Sequence, residues 1–262
     1  MRRIQEYRSS NELLQEDPVS ANTQLVCEML EAMVRLSDEV STLGFGPHAA
    51  AVYNPLVYAR AGAEAYIRRY ARHCRALLIG MNPGPFGMAQ TGVPFGEIAA
   101  VRDWLGIAAE IGQPEVVHPK RPITGFACTR SEVSGRRLWG FFREVYGNPD
   151  GFFDHFHVAN YCPLVFMEAT GRNLTPDKLP VGERTPLYTA CNRHLSRIAT
   201  ILEPEWIIGL GAFATKRSQE VLGTGYRYLT LPHPSPASPL ANRGWNQLAR
   251  QALAPLGFVP GC

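Results

Sequence analysis

Apolar residues recur at helical spacing from residue 20 to 43. Leu25, Met29, Met33 and Leu36 fall on one face there, and Ser20 is placed to cap the first turn. A second helical pattern runs from about Pro55 to His73 and closes on the arginine-rich stretch YIRRYARHCR. The pattern then changes. Ala76-Leu77-Leu78-Ile79 is apolar without alternation, as expected of a strand covered on both faces. Further helices are predicted from Glu97 to about Ile111, from Ser134 to Gly147, from Thr185 to Leu202, over 212–222 and over 241–257. Further strands are predicted over 156–160, 206–210 and 227–231. The stretches 112–125 and 166–182, rich in turn-forming residues, read as a connection and a long loop.

Short apolar strands alternating with helices predict an α/β fold, a three-layer α/β/α sandwich around a four-stranded parallel sheet. There is no internal repeat and no low-complexity segment. Residues 1–18 are polar and read as a flexible tail, and 19–262 as a single domain. In folds of this kind the site lies beyond the carboxyl ends of the strands. Those ends carry Gly80-Met81-Asn82, Asn160 and His233, which are thereby expected to converge on one crevice.

Composition narrows the chemistry. With 45% hydrophobic and 19% charged residues among 262, the chain has the balance of a soluble globular protein. No run approaches the length of a membrane span, and the N-terminus lacks the apolar core of a signal peptide, so an intracellular protein is expected. The formal net charge of +3 is mildly basic. Lysine occurs only at 120, 178 and 216, so few amines are available for Schiff-base chemistry. The six cysteines are scattered without a CxxC pair and read as reduced thiols. His155 and His157 form an HxH without an obvious third ligand, so no metal is expected, and nothing in the sequence implies an organic cofactor. No GxSxG nucleophile elbow is present.

The stretch after the first strand, GMNPGPFGMAQTGVPFGE (80–97), holds five glycines and three prolines. Backbone so bare and constrained implies close approach of a ligand. Together with HVANYCPLVFM, HPSPASPLANRGW, SEVSG and GRNLTP, in this order over nearly all of the chain from about residue 20, it resembles the single-strand-selective monofunctional uracil-DNA glycosylases. The resemblance implies the uracil-DNA glycosylase α/β fold. It also implies cleavage of the N-glycosidic bond of uracil, and of some oxidised bases such as 5-hydroxymethyluracil, in single- and double-stranded DNA by a monomer that initiates base-excision repair.

The roles it implies agree with the chemistry of the residues. Asn82 cannot act as a strong base, but its carbonyl oxygen can orient a water for a largely dissociative reaction. His233 is the candidate to stabilise charge on uracil O2. Asn160 carries a donor and an acceptor that match uracil O4 and N3–H, the reverse of cytosine. Phe95 is expected to stack on the base and Met81 to offer backbone polar groups.

Residues Pro236, Ala237, Ser238, Pro239, Leu240 and Arg243 form the expected wedge for a flipped nucleotide. Vertebrate members carry an arginine after HPSP, where this chain has Ala237. In better-known enzymes of the superfamily the first loop reads GQDPYH, whose Tyr falls on Gly84 here. The missing side chain leaves room for a polar 5-substituent, unless Gly84 serves only a turn with positive φ. The alternatives are a same-fold enzyme acting mainly on deaminated purines (xanthine or hypoxanthine) and a non-catalytic DNA-binding module.

Overall fold

The computed structural model describes residues 18–260, with side chains from residue 22. All but the last residue of the expected tail therefore lies outside the described residues. In chain order the helices are α1 (Pro18–Ser41), α2 (Pro55–Tyr58), α3 (Arg60–Tyr70), α4 (Met88–Thr91), α5 (Val133–Tyr146), α6 (Pro149–Phe153), α7 (Val181–Leu202), α8 (Ala212–Leu222) and α9 (Trp245–Leu253). The strands are β1 (Ala51–Tyr53), β2 (Ala76–Gly80), β3 (Phe156–Asn160), β4 (Val165–Met167), β5 (Asn173–Leu174), β6 (Trp206–Leu210) and β7 (Arg227–Leu231).

The main sheet has the order β3-β2-β6-β7, and every pair in it is parallel. All five residues of β2 are buried, so both faces of the central strand are covered. α8 packs on β6 and β7, and α7 packs against both α8 and α1. α6 packs on β3, and α9 on β7 and α5. Phe142, Phe152, Phe153, Phe156 and Trp139 are buried beneath α5 and α6 in one aromatic cluster.

Several expected elements are corrected. α1 already includes Pro18, so Ser20 lies within the helix and not at its start. The helix expected over 55–73 breaks at Ala59 (φ −110°, ψ 26°), which lets the Tyr58 hydroxyl donate to Ala89 O. The helix expected from Glu97 to Ile111 ends near Trp104 in an i→i+5 turn, where Leu105 N–H donates to Ala100 O. Gly106, at φ +62°, turns the chain away there.

The expected loop 166–182 contains most of β4 and all of β5, which form a small antiparallel sheet with β1 in the order β1-β4-β5. α6 was not foreseen either. The last helix starts at Trp245, after a 3₁₀ turn over Ala241–Arg243 and Gly244 at φ +124°. No helix among the described residues is long and apolar enough to cross a membrane.

Candidate active site

A cleft of about 420 Å³ opens beyond the carboxyl ends of the parallel strands. Met81, Asn82, Gly84, Phe95, Asn160 and His233 all line it, together with Ser235, Pro236 and Ala237. Parallel register puts Gly80 beside Asn160 at the ends of β2 and β3, and His233 follows the end of β7 by two residues. Six of the residues expected to bind or act thus meet in one place. Of the expected wedge, Pro236 and Ala237 reach the cleft wall.

Each side chain has a reason for its pose. Asn82 Nδ2 donates to Leu164 O (3.2 Å) and Pro83 O (3.3 Å). Its Oδ1 receives no hydrogen bond from the described residues. Met81 O accepts from Cys162 N–H, so the N–H of Met81 is the backbone group left for a ligand.

Asn160 Nδ2 donates to the thioether of Met88 at 3.3 Å. Gly80 has to be a glycine here, because a Cβ on it would lie 2.6 Å from both Asn160 Oδ1 and the Phe95 ring. Phe95 sits at φ +53°, a strained conformation for an aromatic residue. Its carbonyl accepts from Trp139 Nε1 (3.0 Å) and Glu97 N–H (2.7 Å), which hold it there.

His233 is held as a neutral donor. Its Nδ1 accepts the N–H of Ser235 at 3.2 Å, which puts the proton on Nε2. Burial drives its pKa from 6.5 down to about 4. Its ring centroid lies 6.1 Å from that of Phe95.

Gly84 is not among the glycines with positive φ, and a Cβ built on it meets nothing within 4 Å. No turn requirement therefore explains it, and the space beside it belongs to the cleft.

Three supporting residues escaped the sequence reading. Gln90 satisfies all its amide valences: Nε2 donates to Pro85 O and Pro122 O, and Oε1 accepts from Thr124 and Gly125 N–H. It pins the glycine–proline loop to the distant 122–125 segment. Glu132 lines the cleft and caps α5, accepting from Ser134 N–H (3.0 Å) and Gly135 N–H, and burial raises its pKa. A glutamate directly before VSG was the available signal for a cap. Asn173 lines the cleft with a buried Oδ1 that has no partner.

Arg137 is committed to the second loop: its Nη1 donates to Pro234 O (3.0 Å) and Ser235 O (3.3 Å), and its Nη2 to Asn242 Oδ1 (2.9 Å). Arg136 and Arg243 are exposed. Arg121 and Arg130 flank the ring of Phe86 at 5.3 and 4.5 Å, on the loop that carries Asn82. Leu240, in the second loop, is 54% exposed.

This arrangement can place a planar ring between Phe95 and the opposite wall, read one edge with an amide, and present an imidazole donor and an amide oxygen to its glycosidic side. A family model described as the Uracil DNA glycosylase superfamily matches residues 67–254. The chain is 43% identical to a Bos taurus protein named single-strand selective monofunctional uracil DNA glycosylase, over 93% of this chain and 91% of the relative. It is 46% identical to a Rattus norvegicus protein of the same name, over 88% of this chain and 84% of the relative. Its fold matches the crystal structure of wild-type Pedobacter heparinus SMUG2 with a TM-score of 0.60 at 17% identity, covering 85% of this chain and 97% of that one. Identity of this degree across almost the full length means that the chain belongs to the single-strand selective monofunctional uracil-DNA glycosylase family, within the uracil-DNA glycosylase superfamily.

Proposed function

We propose that this protein excises uracil from DNA by hydrolysing the N-glycosidic bond, without a strand-cleaving lyase step, as the first step of base-excision repair. The observation that carries this reading is the convergence of Asn82, His233, Asn160 and Phe95 in one cleft of a chain 43–46% identical to proteins of that name.

The base leaves as an anion while the sugar becomes cation-like, and water then adds to the anomeric carbon. His233 donates its Nε2–H to uracil O2 as charge develops there. A preorganised donor of this kind contributes roughly 3–4 kcal/mol to lowering the barrier. Asn82 Oδ1 orients the water, because its Nδ2 is already committed to Leu164 O. Asn160 Oδ1 accepts N3–H and Nδ2 donates to O4. Phe95 stacks on the ring, and the N–H of Met81 reaches a base oxygen. No lysine lines the cleft, which supports hydrolysis over Schiff-base chemistry.

The substrate is uracil or 5-hydroxymethyluracil, the latter placing its hydroxymethyl group in the space beside Gly84. The DNA is single- or double-stranded. Leu240, exposed in the second loop, fills the gap left by the flipped nucleotide, while Ala237 is too short to do so. Arg121, Arg130, Arg136 and Arg243 meet phosphates.

The test is incubation with a single-stranded oligonucleotide bearing one uracil, with and without later alkali, beside a borohydride-trapping reaction. Strand breaks only after alkali and no trapped adduct are expected. Intact strands after alkali, or a covalent adduct, would contradict the proposal.

A further inference from the structure

The base pocket shares one wall with a second, mainly apolar cavity of about 60 Å³ on its far side. The two residues in that wall with side chains polar enough to matter are Asn160 and Met88, and both line both spaces. Asn160 is 9% exposed and Met88 5%. The one hydrogen bond that any described residue makes to the Asn160 side chain is from its Nδ2 to Met88 Sδ, at 3.3 Å.

A carboxamide is nearly symmetric in shape, so packing alone distinguishes its two flip states poorly. Gly80 leaves no space for a side chain beside Asn160 Oδ1, since a Cβ there would lie 2.6 Å from that oxygen, but it offers the amide no donor or acceptor that tells oxygen from nitrogen. The thioether does. Sulfur in methionine accepts and cannot donate. Facing Met88, the amide is favoured with NH₂ toward sulfur, because the flipped state would bring two sets of lone pairs together.

We infer that Met88 is a specificity-determining residue: its sulfur holds the Asn160 amide in the flip state that matches uracil and opposes cytosine. The inference rests on the reading of Asn160 as the base-contacting residue. With NH₂ on the Met88 side, the second Nδ2 hydrogen and Oδ1 face the pocket as donor and acceptor. Uracil presents O4 and N3–H to them. Cytosine presents an amino group to the donor and a bare N3 to the acceptor, so both contacts oppose. Without the sulfur the amide is free to rotate by 180°, and the preference weakens or inverts.

Binding is the suitable readout, because cytosine is a poor leaving group whatever the pocket accepts. Oligonucleotides carrying a 2′-fluorinated deoxyuridine or deoxycytidine resist cleavage, since fluorine disfavours the cation-like sugar. Their dissociation constants are measured for the wild type, for Met88→Leu and Met88→Ile, which keep an apolar side chain of similar size without an acceptor, and for Met33→Leu. Met33 lines the second cavity but does not touch Asn160 through a hydrogen bond.

The expected result is a uracil-over-cytosine ratio at least about fivefold lower in both Met88 variants, the size of one net hydrogen bond, and unchanged in Met33→Leu. A merely structural role would weaken both ligands together and leave the ratio alone. Two folded Met88 variants give two independent readings. A clear wild-type preference that either folded variant keeps within about twofold overturns the role of Met88 alone. A wild type that does not prefer the uracil analogue overturns the proposed function and this inference with it.

Discussion

His233 does its proposed work only as a neutral imidazole with its proton on Nε2. Ser235 N–H fixes that tautomer, and burial lowers the folded-state pKa to about 4 from an ordinary 6.5. Because the shift is downward, the ring stays neutral from alkaline pH down to the neighbourhood of pH 4. It gains a proton only below that. The single-turnover rate is therefore expected to hold level from pH 8 to about 5.5 and to fall as pH approaches 4. A break centred near 6.5 in that profile would mean that His233 titrates as an exposed histidine and would contradict the assignment.

Gly84 makes a second residue-scale case. Its backbone needs no glycine and its Cβ direction is open, so Gly84→Tyr is expected to fold. The new ring is expected to fill the space proposed for a 5-substituent. Excision of 5-hydroxymethyluracil then drops at least about tenfold more than excision of uracil, a difference of ~1.4 kcal/mol in barrier. Equal losses on the two substrates would show that the position does not govern selectivity.

At the scale of elements, α5 is the brace that joins the two jaws of the cleft. Trp139 holds the carbonyl of Phe95, Gly135 packs so close that a Cβ would lie 2.0 Å from that oxygen, and Arg137 ties down Pro234, Ser235 and Asn242. Arg137→Ala is expected to lower the saturated single-turnover rate by about tenfold, or ~1.4 kcal/mol of barrier, because the loop bearing His233 loses its anchor. Arg136→Ala, one position away and exposed, is expected to weaken DNA binding at low salt and leave the saturated rate alone. If Arg137→Ala instead lost only affinity, with a wild-type rate at saturation, Arg137 would be a DNA contact and not an anchor of the loop.

The sequence allowed α5 to be placed because Leu138, Phe141, Phe142 and Val145 recur at helical spacing, but the bracing could not be read. It depends on contacts between segments about forty and a hundred residues apart. β1, β4 and β5 escaped for a related reason. Two or three residues carry no period, and they become strands only through one another. The helix expected over 97–111 fails at Gly106, whose positive φ stops it where the apolar spacing alone continues.

For the whole molecule, the parallel sheet carries the argument from sequence to site. Once 76–80, 156–160 and 227–231 are strands of one parallel sheet, their carboxyl ends lie at one edge, and Asn82, Asn160 and His233 must meet there. That much was legible. The sulfur of Met88 and the cross-links of Gln90 and Arg137, which fix the orientations of those groups, were not, because an orientation is a property of packed neighbours.

The central claim is that Asn82 and His233 act on the glycosidic bond of a uracil held by Asn160 and Phe95. The measurement that tests it most directly is the single-turnover rate of uracil excision from a single-stranded oligonucleotide, with saturating enzyme, for the wild type, Asn82→Ala and His233→Ala. The account predicts robust excision by the wild type and rates at least about tenfold lower in each variant, ~1.4 kcal/mol or more of barrier, with DNA binding retained. Wild-type rates in both variants would contradict it.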